Sequence, residues 1–242
     1  MKPGPRTQPA SEDVRAEQHL AEASTWAASD PVRALDTLDY LRPQIAVDRR
    51  AGRFDDWARS TVVDENTGEP VLAARVLESL GRLAGVEVRY PYANAGLVHT
   101  YGYLLSPAAT PYGTKRARWT QGALAHAFGC DPHHFQPWRV PAGDSLLGRV
   151  TACALPVALG SRSEHVLHRR EDPDGHGGQL VTVIWRSPGA GPAALVYSHV
   201  TDGRVRLVTT FPVDAGVDAL TRFAGLAPAP RYNVAVDPAP SP

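Results

Sequence analysis

The sequence predicts an α+β fold, in which a helical N-terminal layer packs on a mostly antiparallel sheet with a C-terminal β-meander. Three observations support this class. Apolar residues recur at helical spacing through the first 85 residues, the period changes to two from residue 145 onward, and turn-forming residues separate the later runs. Parallel β-α-β alternation is absent, which argues against a doubly wound sheet.

The helical layer comprises three predicted segments. Ser11 begins "SEDVRAEQHLAEASTWAAS", where a capping side chain precedes acidic residues that favour a helix N-terminus. Asp30 and Pro31 restart a helix, which Pro43 should kink or end. A third helix is predicted within residues 68–85 and closed by Gly85. Its apolar face would carry Leu72, Val76, Leu80 and Leu83.

The middle of the chain predicts two strands and a helix. The segments "VEVRY" and "GLVHTYGYLLS", residues 86–90 and 96–106, have the composition and alternation of strands. The segment after them predicts a helix capped by Thr114 and ended by Gly129.

From residue 145 onward, the chain predicts five strands: "SLLGRVTACAL", "SEHVLHRRE", "QLVTVIWRS", "AALVYSHV" and "RVRLVTTFPV". Asp202-Gly203 lies between the last two and predicts a two-residue hairpin loop, because a primed turn needs positive φ. That loop sets a register that pairs Val200 with Val205, Ser198 with Leu207, and Val196 with Thr209.

The predicted organisation is a single domain over residues 11–227, with 11–85 mainly helical and 86–227 forming the sheet plus one helix. Residues 1–10 and 228–242 are rich in proline, and we expect the first stretch to be a disordered tail and the second a proline-rich tail.

Composition excludes several classes of function. Twenty-five basic and 25 acidic residues cancel, so no net field attracts nucleic acid or an anionic membrane. No apolar run approaches the roughly 20 residues of a membrane-spanning helix, and the N-terminus lacks the apolar segment of a secretory signal. We therefore expect a cytoplasmic protein with reduced cysteines. The excess of arginine, alanine and proline is typical of a GC-rich, actinobacterial genome.

The first candidate site is an anion-binding helix start. Lys115, Arg116 and Arg118 follow the turn "TPYGT", where exposed backbone N–H groups and cations together favour a carboxylate or phosphate. The alternative is that these cations pair with acids of the helical layer, such as Asp55, Asp56 or Glu65.

Two sheet faces supply further candidates. His99, Tyr101 and Tyr103 would share one face of a strand, as in a polar pocket, or form an aromatic face packed on a helix. Across the hairpin, one face would carry Tyr197, His199, Arg206 and Thr210, with Leu195 and Val208 among them. That face would either meet solvent or form the floor of a pocket in which His199 and Arg206 act as an acid/base and an anion-holding group.

The stretch "FGCDPHHFQPW" raises the question of a metal. Cys130 with His133 or His134 supplies two ligands, and Cys153, His168 or His176 would have to complete a zinc site. The common paired-ligand spacings are missing, and Cys130 lies beyond a predicted helix C-terminus, where a nucleophilic thiolate is disfavoured. The sequence therefore favours a loop anchored by Phe135 and Trp138, and neither a metal nor a cofactor is predicted.

The resulting expectation is a cofactor-independent enzyme of small-molecule, specialised biosynthesis. It would act on an anionic substrate by acid/base chemistry of the lyase, cyclase or hydrolase type. His99 or His199 would be the acid/base, and Tyr101 or Tyr103 would orient the substrate. The substrate would be bound by five cationic and polar side chains: Lys115, Arg116, Arg118, Tyr197 and Arg206. The alternatives are a non-catalytic ligand-binding protein, and a zinc or haem protein that uses His133 or His134. No partner beyond the substrate is expected, and the oligomeric state stays open, with a homodimer as one alternative.

Overall fold

The fold is α+β, as predicted. It was analysed in a computed structural model that describes residues 12–110, 113–160, 163–188, 191–213, 221 and 225. Helices dominate the N-terminal part, and a four-stranded antiparallel meander closes the described chain. The predicted tails, residues 1–10 and 228–242, lie outside the described residues.

The N-terminal helices are α1 (Glu12–Trp26), α2 (Pro31–Thr37), α3 (Leu41–Arg50) and α4 (Ala74–Ala84). Asp30 caps α2 as predicted, since its Oδ1 accepts the N–H of Arg33 over 3.0 Å. Gly85 ends α4 with a φ of 69°. Pro43 neither kinks nor ends α2, because that helix stops at Thr37. Pro43 lies in the first turn of α3, where the backbone N–H that proline lacks would have no intrahelical acceptor.

Two small antiparallel sheets connect these helices to the rest of the chain. Strand β1 (Arg59–Thr61) pairs with β2 (Tyr92–Asn94), and β3 (Ala109–Thr110) pairs with β4 (Gly113–Thr114). The expected strand at residues 86–90 is wrong: only an isolated bridge, from Arg89 to Tyr92, forms there.

The expected strand at residues 96–106 is also wrong. Leu97–Gly102 form a π-helical turn that ordinary helix flanks on both sides. All residues from Leu97 to Ser106 are buried, so apolar and polar positions do not distinguish two faces there. A helical path also means that His99, Tyr101 and Tyr103 do not share one strand face.

The helix expected from Thr114 to Gly129 is divided into α5 (Ala117–Thr120) and α6 (Ala123–Ala127). Gly122 interrupts it with a φ of 75°, and Gly129 follows its end with a φ of 71°, as predicted for a C-terminal glycine. Thr114 belongs to β4 and does not cap α5, whose N-cap residue is Arg116.

Residues 145–155 form a helix and not the predicted strand. Helix α7 (Leu146–Ala158) begins at Ser145, whose Oγ accepts the N–H of Gly148 over 2.9 Å. Its buried positions recur at helical spacing. They include Leu146, Val150, Cys153 and Val157.

The meander contains β5 (Val166–Pro173), β6 (Gln179–Trp185), β7 (Ala193–Thr201) and β8 (Arg204–Val213), in that order across the sheet. Asp202 and Gly203 have φ values of 53° and 70° and form the predicted hairpin loop. Val200 pairs with Val205 and Ser198 with Leu207, as predicted. The third predicted pair is wrong, because a register shift between Tyr197 and Ser198 places Val196 opposite Thr210.

The main core lies between the helices and one face of the meander, where Val183, Val196 and Leu207 are fully buried. The opposite face holds a second apolar cluster that includes Leu195, Tyr197 and Val208. Those three side chains are buried, so the solvent-facing alternative does not hold at these positions. Within the described residues, no helix is both long and apolar enough to cross a membrane.

Candidate functional sites

A buried polar cluster forms around the π-helical turn. His99 Nε2 lies 2.7 Å from Ser60 Oγ of β1, while its Nδ1 has no hydrogen-bond partner among the described residues. The His99 ring meets the Tyr103 ring edge to face, with centroids 4.8 Å apart. Burial, and then the charges of Arg118 and Lys115, holds the pKa of His99 well below its ordinary value, so the imidazole is neutral at pH 7.

The predicted cations beside this cluster already have protein partners. Lys115 forms an ion pair with buried Asp64 and lies over the Tyr103 ring. Arg118 donates to Thr209 Oγ1 over 2.9 Å and also lies against the Tyr103 ring. Burial acts to raise the pKa of Asp64, but the hydrogen bond and charge of Lys115 outweigh it and lower that pKa. Arg116 donates to Ser24 Oγ over 3.0 Å. The pairing alternative therefore describes Lys115, with Asp64 in place of Asp55, Asp56 or Glu65, whereas Arg116 and Arg118 donate to hydroxyl groups.

Tyr101 belongs to a different buried network. Its hydroxyl donates to Asp48 Oδ2 over 2.5 Å, while Ser145 and Arg53 donate to Oδ1. Burial is the largest effect and raises the pKa of Asp48, against the hydrogen bonds from Ser145, Tyr101 and Arg53. Because the network joins α3, the π-helical turn and the start of α7, we assign it a structural role.

Among the predicted hairpin residues, His199 and Arg206 are cross-strand neighbours, as expected. His199 Nε2 contacts Asp174 Oδ2 over 2.7 Å, in the loop between β5 and β6. Arg206 stands opposite His199 in the register, whereas Tyr197 is buried in the second apolar cluster. The structure thus brings His99, Tyr103, Lys115 and Arg118 together and leaves a second set apart, which comprises Tyr101, Arg116, Tyr197, His199 and Arg206.

A third cluster joins three metal-ligating side chains. Cys130 follows α6, His134 lies four residues later, and Cys153 comes from α7. Their donor atoms all lie within 4.8 Å of one another, and the two sulfurs are 3.9 Å apart. Cys153 is buried, while Cys130 and His134 are partly exposed, so the group sits where the core meets solvent. Of the donors named from sequence, His168 and His176 are not members of this group.

The loop that carries His134 is held in place by α7. Arg149 lies one turn before Cys153, donates from Nη1 to the His134 carbonyl over 2.8 Å, and pairs through Nε with Asp144. At the other end of the loop, the Cys130 N–H donates to Ala125 O over 2.9 Å, which closes α6. These bonds fix both ends of the loop that carries Cys130 and His134.

The neighbouring His133 points elsewhere. Its Nδ1 lies 3.1 Å from Gln136 Oε1, and its N–H donates to Asp131 Oδ1 over 2.8 Å. Of the adjacent pair, only His134 therefore reaches the cysteines. Phe135 and Trp138 pack against the core as predicted.

A cleft of about 210 Å³ lies beside Cys130. One wall comes from the end of α6 and the other from the connection between β6 and β7, with Arg186 and Ser187 on the second wall. Ser187 donates its N–H to Ala127 O over 3.0 Å, which joins the two walls. Cys130 is common to the cleft and the three-donor cluster.

Comparison with known proteins finds no matching family model, no matching curated protein and no matching solved structure. The chemistry of these clusters is therefore the basis for a proposed function.

Proposed function

We propose that this protein binds a zinc ion through Cys130, His134 and Cys153. The observation that carries the proposal is the convergence of two thiols and one imidazole, from segments on two sides of the fold, within 4.8 Å. Zinc prefers sulfur and nitrogen donors, and a set of two cysteines and one histidine is known for zinc sites that keep one position open.

The separation of the sulfurs agrees with tetrahedral coordination. Two thiolates that each lie about 2.3 Å from a tetrahedral zinc are about 3.8 Å apart, and Cys130 and Cys153 have sulfurs 3.9 Å apart. A disulfide would need about 2.05 Å. The soft thiolates favour zinc over magnesium or calcium, which prefer oxygen ligands.

A haem held between two of these donors does not fit this arrangement. Its two axial ligands would lie on opposite sides of the porphyrin, whereas these three donors face one another at short range and leave no space for the macrocycle between them. The geometry therefore favours the zinc alternative and departs from the expectation of a metal-independent protein.

The test is the zinc content of purified full-length protein, measured by elemental analysis after weakly bound metal is removed. We expect about one zinc per chain, lost in Cys130→Ser and His134→Ala. His133→Ala is the matched control, because the adjacent imidazole bonds Gln136 and not the cysteines. Far-UV circular dichroism verifies that each variant is folded.

Two results would reject the zinc site. One is wild-type protein with no retained zinc. The other is equal loss of zinc from the His133 and His134 variants. Mass spectrometry without reductant tests whether Cys130 and Cys153 form a disulfide in the isolated protein. Such a disulfide would lower the mass by two hydrogens and would remove both thiolate ligands.

The second candidate function is acid/base catalysis on a small anionic substrate at the His99 cluster. It is favoured by one observation: His99 is neutral, hydrogen-bonded to Ser60 through Nε2, and has a buried Nδ1 without a described partner. Such a nitrogen can accept or donate a proton once a ligand reaches it. Lys115 and Arg118 would supply positive charge nearby, although each already has a protein partner.

A thermal-shift screen with carboxylates and phosphates tests this candidate, followed by a turnover assay of each stabilising compound. Catalysis predicts conversion of a stabilising compound, with turnover abolished in His99→Gln. A ligand that stabilises the protein equally in wild type and in this variant, and is never converted, would indicate a binding protein instead.

A further inference from the structure

The cleft beside Cys130 has a lining that favours negative charge. His126, Arg186 and Ser187 line it together with glycine and proline residues, and none of its described lining residues is acidic. The His126 ring lies against Gly191, where an added Cβ would come within 2.7 Å of Nε2. The cleft therefore has polar side chains on both walls, and the walls approach each other closely at His126 and Gly191.

Arg186 is the strongest of these donors. It is partly buried, and its guanidinium makes no hydrogen bond or ion pair with any residue that the structure describes. Two other partly buried arginines have protein acceptors: Arg118 donates to Thr209 and Arg149 pairs with Asp144. A partly buried guanidinium without a protein acceptor is suited to bind an oxyanion of a ligand through paired N–H donors.

From these observations we infer that the fourth position of the zinc site opens into the cleft, where Arg186 binds a carboxylate or phosphate group of a small substrate. This inference depends on the proposed zinc site. The cleft volume of about 210 Å³ is below the roughly 300–1,000 Å³ of pockets for drug-sized ligands. It therefore suits a small anion or the anionic end of a larger molecule.

Cobalt substitution tests the inference, because Co²⁺ takes the same ligands and is coloured. Full-length protein loaded with Co²⁺ is titrated with acetate, as a minimal carboxylate, and with methylphosphonate, as a minimal phosphate analogue. A thiolate-to-cobalt charge-transfer band reports the three protein ligands. A saturable change of the ligand-field bands on adding either anion reports the open position, and the two titrations show which anion class is preferred.

Arg186→Gln is expected to weaken anion binding about tenfold, as the loss of one charge-assisted contact would, while the charge-transfer band stays unchanged. Arg75→Gln removes the same charge from the exposed surface of α4 and serves as the control. Three outcomes would overturn the inference. Without a charge-transfer band, the zinc site fails as well. If the charge-transfer band is present but neither anion changes the ligand-field bands, the open position alone is rejected. Equal anion affinity in Arg186→Gln and Arg75→Gln rejects the role of Arg186.

Discussion

Replacing Tyr101 with phenylalanine removes one hydroxyl from beside a fully buried carboxylate. Tyr101 and Asp48 are both 0% exposed, and the hydroxyl donates to Asp48 Oδ2 over 2.5 Å. Ser145 and Arg53 donate to the other oxygen, so the substitution leaves Oδ2 without a described partner. A hydrogen bond to a charged group contributes about 1.5–3 kcal/mol. The expected loss of unfolding free energy is about 2–3 kcal/mol, because the substitution leaves a buried carboxylate oxygen without its donor.

Urea denaturation at pH 7, followed by circular dichroism and tryptophan fluorescence, measures this loss. The corresponding decrease in melting temperature is roughly 4–12 °C for a chain of this size. Tyr92→Phe is the matched control, since the Tyr92 side chain is exposed and the chemical change is identical. A loss below about 0.5 kcal/mol, the range of ordinary surface substitutions, would refute the reasoning. So would equal losses in the two variants.

Three other predictions concern pH and backbone conformation. Burial raises the pKa of Asp48, so the stability that comes from its protonated form is present below the unfolded-state pKa and is lost as pH rises through the folded-state pKa. The Tyr101 hydrogen bond is strongest with the ionised carboxylate, so the difference in unfolding free energy between Tyr101→Phe and wild type should shrink as the pH of the urea titration falls through that folded-state pKa. For Asp174, burial raises the pKa, but the backbone N–H of His176, the side chain of His199 and the backbone N–H of Gly178 outweigh it and lower that pKa. The stabilising contribution of Asp174 is present above the unfolded-state pKa and is lost as pH falls through the folded-state pKa. The urea midpoint of Asp174→Asn should therefore depend less on pH in the acid range than that of wild type. Identical pH profiles for the two proteins would contradict this. Gly129→Ala should destabilise the protein by more than the ~1 kcal/mol of backbone strain, because φ is 71° and the new Cβ would lie 2.3 Å from Ser187 Oγ. Gly203→Ala has a similar φ of 70° but open space around it, so equal urea midpoints for these two variants would count against the close contact.

Local chemistry explains which elements were predictable from the sequence. Asp30 and Gly85 end helices by satisfying backbone groups or by adopting positive φ, and each acts within a few residues. The Asp202-Gly203 turn likewise depends on local conformation and sets the pairing of Val200 with Val205. The pairing of Val196 was not predictable in the same way, because the bulge beyond Tyr197 has no comparable signal in the sequence.

The π-helical turn could not be identified from its pattern, because burial on all sides removes the amphipathic signal. Residues 97–106 are buried without exception, so polar and apolar side chains alternate there without a solvent-facing side. His99 and Tyr103, four residues apart, still came together, but as helical neighbours and not as residues of one strand face. The sequence therefore predicted the contact between His99 and Tyr103 correctly. The placement of Tyr101 beside them was wrong, since its hydroxyl reaches Asp48.

The zinc proposal shows how an error in secondary structure hides a site. From the sequence, Cys130 with His133 or His134 is only a possible ligand pair, Cys153 is one of three residues that could complete it, and a packed loop is favoured over a metal site. If residues 145–155 had formed a strand, Cys153 would have lain in the sheet, about 13 Å along the strand from Arg149. In helix α7, Arg149 lies one turn before Cys153, so the same helix that supplies the second thiol also holds the His134 carbonyl. Ser145 was the signal available in the sequence, because a capping serine precedes buried residues at helical spacing. With α7 as the shared support, loss of the Arg149 contact would weaken zinc binding through the position of His134 and leave all three ligands present.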